Sequence, residues 1–319
     1  MLKRSVLRQI KTDREELISG AGIGKDCAIL ALGDGMETVL CTTPVSASAD
    51  RVAGYAIPMA FNNLAVAGAS PVAVMLTVLL PSDAMEEELQ SIMKQAQEVC
   101  ESLGVAIAGG HTEVSPVVRE PLVQVTGIGK KEAARAGYPQ GIKEDQDIVV
   151  SKWIGLEGTA RLARERKEEL CTRYPVRMVE EAAGFDRYLS VIPEAATAMK
   201  SGVCGMHDVS RGVIFGALWE MASGAGVGLE IDLKKIPVKQ ETVEICEFFG
   251  INPYELLSGG CLIMVTQDGN GLVGELQRSQ IPAVIIGRTT AGNDRILFNE
   301  EERRFLDMPK MDQIYAVGK

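Results

Sequence analysis

An apolar stretch, DRVAGYAIPMAFNNLAVAGASP at residues 50–71, constrains the fold of this chain more than any other segment. Asp50 stands where a helix N-cap is expected, an apolar run follows, and Gly68 with Pro71 ends the run. A helix that is apolar on most of its faces is normally buried. The stretch therefore predicts a buried helix, with a kink or a start at Pro58 because proline has no backbone N–H to donate.

Two asparagines, Asn62 and Asn63, interrupt the apolar run. A buried carboxamide needs hydrogen-bond partners, so this pair indicates either a satisfied buried network or a ligand site. The residue types alone leave both interpretations open.

The size and charge of the chain limit its class. With 319 residues, 46% of them hydrophobic, it is long enough for two domains. The formal net charge of -10, without a long basic run, disfavours nucleic acid or an anionic membrane surface as a partner. Apolar runs such as 72–80 are shorter than the about 20 residues that span a bilayer. Seven scattered cysteines without a CxxC pair predict a reduced, cytoplasmic protein.

A glycine-rich segment at residues 20–28 looks like a phosphate-binding P-loop but departs from it. Gly20 and Gly24 are one residue too close together, and Asp26 follows Lys25 where Ser or Thr is required. Two interpretations remain: a plain turn, or glycines that let the backbone approach a nucleotide whose phosphate Lys25 contacts.

Alternating strand and helix patterns continue along the rest of the chain. Met85–Leu103 predicts an amphipathic helix ended by Gly104. The unbroken apolar run at 72–80 predicts a strand buried on both faces. The polar segment 130–146 leads to a domain boundary, which we place after residue 151. Further strands are predicted at 105–108, 121–129, 147–151 and 203–206.

Four motifs carry a family resemblance: GKDCA at 24–28, the stretch 50–71, GGHT at 109–112 and HDVSRG at 207–212, with LSGGCL at 257–262 as a weaker fifth. In this order and spacing they resemble the superfamily of aminoimidazole ribonucleotide synthetase (PurM), selenophosphate synthetase, thiamine monophosphate kinase and the hydrogenase maturation protein HypE. HypE looks nearest in length and spacing.

The resemblance implies an α+β fold of two domains. Residues 1–151 would form an ATP-binding and dimerisation domain, whose four-stranded sheet and helices pair with their twin in a homodimer barrel. Residues 152–319 would form a C-terminal domain with a mixed sheet. The implied reaction is the phosphorylation by ATP, with Mg²⁺, of an oxygen in a small-molecule or protein substrate that the sequence does not identify.

The resemblance also implies the site residues. Catalytic roles fall on Asp26, Asp50 and His111, and Mg²⁺ contacts on Asp26, Asp50 and Asn63. Nucleotide contacts fall on Gly24, Lys25, Asp26, Thr43, Asp50, Asn62, Asn63, Gly109, Gly110, Asp208, Arg211 and Gly212.

Three positions where the family has a carboxylate are not acidic here: Thr43, Asn63 and His111. A lost unit charge at about 4 Å weakens attraction to a cation by about 1 kcal/mol in water and about 4 kcal/mol at an effective dielectric near 20. Two functions therefore compete. The chain is an ATP-dependent enzyme whose metal is held by Asp26 and Asp50, or a catalytically weakened protein that binds a nucleotide or a partner and regulates or scaffolds.

Histidine and cysteine add two further expectations. The only two histidines, His111 and His207, lie in the motifs, so with Glu113 they indicate a transition-metal site or a general base, or else imidazoles bonded to local backbone. HypE acts on a cysteine at its own C-terminal end. No cysteine follows Cys261 here, so we expect HypE activity only if the sequence is truncated.

Overall fold

The computed structural model describes residues 15–23, 25, 27–33, 35–132, 141–210, 213–308 and 312–317. The chain forms two compact units, residues 1–135 and residues 136–319. None of the helices in these described ranges is long and apolar enough to cross a membrane.

A six-stranded sheet organises the first unit. Its strands are β1 (Leu17–Ser19), β2 (Cys27–Ala31), β3 (Met36–Ser46), β4 (Ser70–Leu80), β5 (Ala106–Val114) and β6 (Leu122–Glu132). Their order in the sheet is β1-β2-β3-β6-β4-β5, and only β4 and β5 pair in parallel among these strands. The predicted four strands correspond to the β3-β6-β4-β5 part. The sheet is wider than predicted because the chain after the glycine-rich segment adds β2, on which β1 pairs.

Two helices pack on this sheet: α1 (Val52–Val66) lies against β3, β4 and β6, and α2 (Glu86–Ser102) lies against α1 and β5. Most α1 side chains are buried, as the apolar stretch predicts. The helix begins at Val52 and continues through Pro58, so it does not start at the proline. The amphipathic helix predicted at 85–103 is confirmed, with Ile92, Ala96 and Cys100 buried.

Strand β4 is not buried on both faces. Val74, Leu76 and Val78 are buried on the side of α1, whereas Val72 and Met75 are 43% and 46% exposed. The sequence does not distinguish the buried face from the exposed face, because both faces of the strand carry apolar residues. The face of the sheet opposite α1 therefore presents apolar side chains to solvent.

The second unit contains a seven-stranded mixed sheet of order β13-β12-β9-β11-β7-β10-β8. Its strands are β7 (Asp147–Ser151), β8 (Gly205–Val209), β9 (Gly228–Asp232), β10 (Cys261–Thr266), β11 (Ala283–Thr290), β12 (Arg295–Asn299) and β13 (Glu302–Phe305). Its helices are α3 (Leu156–Glu165), α4 (Lys167–Leu170), α5 (Val176–Ala183), α6 (Ile192–Lys200), α7 (Val213–Ala225), α8 (Gln240–Phe249) and α9 (Gly269–Arg278). A core of buried apolar side chains joins α7 to this sheet.

The boundary between the units lies earlier in the chain than the predicted break after residue 151. Strand β7 pairs with β10 and β11, which belong to the second sheet. A strand goes with the sheet that takes its backbone hydrogen bonds, so β7 belongs to the second unit rather than to residues 1–151. The polar segment 130–146 did indicate the boundary, but the prediction placed β7, the strand that follows it, in the first domain instead of the second.

Candidate functional site

A polar pair lies between strand β3 and helix α1 in the first unit. The Nδ2 group of Asn63 donates a hydrogen bond to Oγ1 of Thr43 over 3.3 Å. Thr43 is 5% exposed, and the neighbouring Asn62 is 3% exposed. Thr43 and Asn63, two of the three residues that stand where the family has a carboxylate, are therefore in direct contact. Together they form an uncharged group of oxygen and nitrogen atoms.

The glycine-rich segment reaches the same part of the first unit. Cys27, the first residue of β2, donates from Sγ to the carbonyl oxygen of Asn63 over 3.3 Å. Nζ of Lys25 donates to Oγ of Ser19 over 3.1 Å, and residue 25 forms an isolated bridge with Gly22. The predicted site residues Gly24 and Asp26 lie outside the described residues. Asp26 directly precedes Cys27 in sequence.

Asp50 does not cap helix α1. Arg51 occupies the N-cap position, without a side-chain cap, and Nε of Arg51 lies 3.4 Å from the Asp50 carboxylate. Instead, the side chain of Gln95 on α2 forms hydrogen bonds with the backbone at the start of α1. Gln95 accepts a bond from the Gly54 N–H over 2.5 Å at Oε1, and its Nε2 donates to the carbonyl oxygen of Asp50. No local pattern in the sequence marks Gln95, because its partners lie more than 40 positions away.

Asp50 and Asn63 cannot ligate one Mg²⁺ ion within one chain, contrary to the predicted metal set. They lie at opposite ends of α1, and the eleven residue steps from Val52 to Asn63 span about 16 Å along the helix axis. Two ligands of one Mg²⁺ lie within about 4 Å of each other, because each Mg–O distance is about 2.1 Å. The prediction assigned Asp50 and Asn63 to one metal site because both belong to the stretch 50–71, without allowing for the length of the helix between them.

The GGHT motif lies inside strand β5, not in a loop after a strand at 105–108. Ala108 is skipped in the β4–β5 pairing, so the strand has a bulge there. Gly109 and Gly110 follow with φ of 153° and 155°. A Cβ on Gly110 would lie 1.9 Å from the carbonyl oxygen of Leu76, so only glycine fits against β4 at this position.

His111 and Glu113 are neighbours on one face of β5, as residues two apart in a strand are. Nε2 of His111 lies 3.3 Å from Oε2 of Glu113, and the two side chains are 65% and 56% exposed. A transition metal needs more ligands than this pair. Within the described ranges no group of three or more His, Cys, Asp or Glu residues could hold a metal ion.

The HDVSRG motif begins inside strand β8 of the second unit, and His207 and Asp208 are buried. Nδ1 of His207 donates to the carbonyl oxygen of Asp208 over 2.8 Å, in line with the imidazole bonded to local backbone. Its Nε2 lies 3.6 Å from Oε2 of Glu220 on α7. Arg211 and Gly212 lie outside the described residues.

A buried ion pair in the second unit was not found by sequence analysis. Nζ of Lys152 lies 2.6 Å from Oε1 of Glu194, and it donates to the carbonyl oxygens of Tyr188 and Ser190 over 2.8 and 2.7 Å. The side chains of Lys152 and Glu194 are 8% and 3% exposed. Lys152 also has a φ of 53°, which non-glycine residues rarely adopt. A lysine directly after a buried strand was the only sequence signal.

Cys261 lies beside this ion pair in the weaker LSGGCL motif. Burial raises the pKa of the Cys261 thiol to about 12; the positive charge of Lys152 acts against this, and the charges of Glu194 and Asp208 add to it. The group is therefore a neutral thiol near pH 7. A neutral, fully buried thiol is a poor nucleophile, so Cys261 is a packing residue.

Comparison with known proteins gives the family. The family model described as AIR synthase related protein, N-terminal domain, matches residues 24–130, and that for the C-terminal domain matches residues 143–298. A protein of Methanocaldococcus jannaschii named for hydrogenase expression and formation is 28% identical over 303 residues, which cover 92% of this chain and 88% of that protein.

Two solved structures share the fold. The structure of a HypE–HypF complex aligns with a TM-score of 0.75 at 23% identity, covering 90% of this chain and 94% of that chain. A structure of the hydrogenase maturation protein HypE in complex with ATP aligns with a TM-score of 0.69 at 18% identity, covering 98% of this chain and 95% of that chain. These likenesses show the two-domain α+β fold.

Proposed function

Because the chain belongs to the AIR synthase related family, we propose that it binds ATP and uses it to activate an oxygen atom of a substrate. In this reaction the substrate oxygen attacks the γ-phosphorus, the bond between that phosphorus and the β–γ bridging oxygen breaks, and ADP leaves. The main observation behind this proposal is the contact between Thr43 and Asn63. Asn63 also accepts a hydrogen bond from Cys27, so the motif at 24–28 and the stretch 50–71 meet at this point. The similar HypE structure with ATP supports the nucleotide.

The described residues fit a nucleotide better than a bound Mg²⁺ ion. Mg²⁺ in nucleotide sites is usually held by one or two carboxylates together with the phosphates. Thr43 and Asn63 are uncharged, so a carboxylate ligand would have to come from Asp26. Lys25 supplies a positive charge that can offset phosphate charge.

A second candidate function is favoured by the same uncharged pair. Without acids at positions 43 and 63, the site keeps hydrogen-bonding groups for a nucleotide but loses the charge that supports phosphoryl transfer. The chain would then bind ATP and act as a regulatory or scaffold protein. Magnesium dependence and turnover separate the two candidates.

Calorimetric titration with ATP, with and without Mg²⁺, tests both candidates. We expect tighter binding with Mg²⁺, and we expect Asp26→Asn to remove this gain of at least about fivefold, since one unit charge at about 4 Å contributes about 1 to about 4 kcal/mol. Asp50→Asn should keep the magnesium gain, because its carboxylate lies at the far end of α1. Asp83→Asn, in an exposed turn, is the matched control.

Three results would change the proposal. Binding that is independent of Mg²⁺, with no ADP released in the presence of candidate substrates, would favour the regulatory function. Loss of the magnesium gain in Asp50→Asn but not in Asp26→Asn would overturn the assignment of the carboxylate. An absence of ATP binding would contradict both functions.

The proposal includes a homodimer that forms through the first unit. Strand β5 is an edge strand, and its residues from Ala108 to Val114 are exposed. Exposed edge strands readily pair with another chain. Val72, Met75 and Val114 add exposed apolar surface near this edge, which is typical of an interaction site.

Sedimentation analysis tests the homodimer at micromolar concentration. We expect a dimer for the wild-type protein and a shift toward monomer for Met75→Lys, because a charge in a buried apolar interface is costly. Met85→Lys is the matched control, since Met85 is also exposed but precedes α2 outside the sheet. A monomeric wild-type protein would contradict the proposal, and equal dissociation of both variants would contradict the role of this face.

A further inference from the structure

A polar pocket of about 290 Å³ lies within the second unit. It is formed by one face of the β12–β13 hairpin and two short 3-10 turns, Leu233–Lys235 and Pro253–Glu255. In the hairpin, Leu297 pairs with Arg304 and Asn299 pairs with Glu302, so these alternate residues share the face that lines the pocket.

The floor of the pocket is apolar and well fixed. Leu233 and Leu297 are buried, and the hydroxyl of Tyr254 donates to the carbonyl oxygen of Leu233 over 3.2 Å. The Tyr254 ring stacks on Phe215 with centroids 5.5 Å apart and an interplanar angle of 4°. A rigid apolar floor of this kind is typical of small-molecule sites, where a few polar groups set the orientation of the ligand.

Arg304 supplies a positive charge that has no counter-ion in the described part of the chain. Its guanidinium lies 5.8 Å from the Phe215 ring centroid, and no described carboxylate forms an ion pair with it. Arg304 and Tyr254 line the same pocket. Burial raises the pKa of Tyr254, and the positive charge of Arg304 acts against this rise. A planar guanidinium in this position can bind a carboxylate or phosphate through two parallel bonds.

The rim of the pocket carries further hydrogen-bond donors and acceptors. Oδ1 of Asn252 accepts from the Tyr254 N–H over 3.1 Å, which leaves the NH₂ group as a donor. Lys234 also lines the rim, but its ammonium is paired with Glu300. Glu302 offers carboxylate acceptors. A ligand that satisfies this rim needs an anionic group and also a hydroxyl or ammonium donor.

We infer that this pocket binds a small organic anion, whose carboxylate or phosphate group is held by Arg304 and whose hydroxyl or ammonium group is held by Glu302. The volume of about 290 Å³ is suited to a small ligand. None of the lining residues belongs to the motifs of the proposed ATP site. The inference therefore goes beyond the proposed function and does not depend on it.

Arg303 provides a matched control next to Arg304. It lies on the opposite face of β13, within 3.7 Å of the Glu230 carboxylate and 4.9 Å from the Phe298 ring centroid. Arg303→Met and Arg304→Met remove the same side chain from adjacent positions. Only the second change removes the charge that lines the pocket.

Calorimetric titration of the full chain with glycerate and with glycerol 3-phosphate, and with uncharged glycerol as a blank, tests the inference. We expect at least one of the two anions to bind with a Kd of about 1 mM or lower, and the anion that binds identifies a carboxylate or a phosphate site. Arg304→Met should weaken binding about tenfold or more, because hydrogen bonds to a charged group are lost. Arg303→Met should bind as the wild-type protein does.

The inference is overturned if neither anion binds at about 10 mM, if glycerol binds equally well, or if both arginine variants lose the same affinity. Glu302→Gln is the second variant, should Arg304→Met fail to fold. It removes an exposed charge at the rim and should weaken binding of the same anion. Unchanged affinity in Glu302→Gln would overturn the second contact of the inference.

Discussion

Replacing Gly110 with alanine is expected to disrupt the pairing of β4 and β5. The new Cβ would lie 1.9 Å from the carbonyl oxygen and 2.8 Å from the carbonyl carbon of Leu76. Both atoms are backbone, so relief requires a shift of β4 itself. The cost should reach or exceed about 4 kcal/mol, the range of the most damaging single substitutions. Hydrogen exchange of peptides from β4 and β5 measures the loss of protection.

Gly109→Ala is the control for this change. Gly109 has nearly the same φ, 153° against 155°, but a Cβ added to it would have no neighbour within 4 Å. Backbone strain alone should cost about 1–2 kcal/mol. The difference between the two variants therefore isolates the close approach of the strands. Equal protection in both variants would contradict the account of Gly110.

Replacing Lys152 with methionine should strongly destabilise the second unit. The change leaves the Glu194 carboxylate buried without its counter-ion, and it removes the donor that serves the carbonyl oxygens of Tyr188 and Ser190. Loss of one partner of a buried pair costs about 3–5 kcal/mol. Urea unfolding followed by the fluorescence of Trp153 and Trp219, both in this unit, measures the change.

Two further variants make this result specific. Lys152→Met with Glu194→Leu removes both charges, so it should recover part of the lost stability. Lys167→Met breaks an ion pair of 2.9 Å whose side chains are 49% and 58% exposed, so its effect should be far smaller. If Lys167→Met and Lys152→Met lower the unfolding midpoint equally, the burial of the Lys152–Glu194 pair does not determine its contribution to stability.

The sequence predicted the local elements well where their pattern was complete within one segment. Helix α2 has a regular apolar face and a glycine after it, and its bounds agree with the prediction within one residue. The buried character of α1 followed from its composition. Strand β5 was predicted too short, because Gly109 and Gly110 are typical of loops and their use in a bulged strand depends on β4.

The candidate site was less predictable, since its geometry depends on contacts between distant segments. The motifs pointed to Thr43 and Asn63, and the structure brings these two together. Asp50 belongs to the same motif as Asn63, yet the helix between them keeps the two apart. Gln95, Lys152 and Glu194 were missed because each acts through backbone groups or a partner that the local sequence does not reveal.

The hydrogen bond between Thr43 and Asn63 also determines which acidic substitutions this site could accommodate. A single change of Asn63 to aspartate is tolerable, because the Thr43 hydroxyl can turn to donate to the new carboxylate. A second acid at position 43 would then place two negative charges where the 3.3 Å bond now lies. A bound cation, or a proton kept on one of the two carboxyl groups, would relieve that repulsion. Acids at both positions would therefore carry two negative charges at this contact only with a cation bound between them.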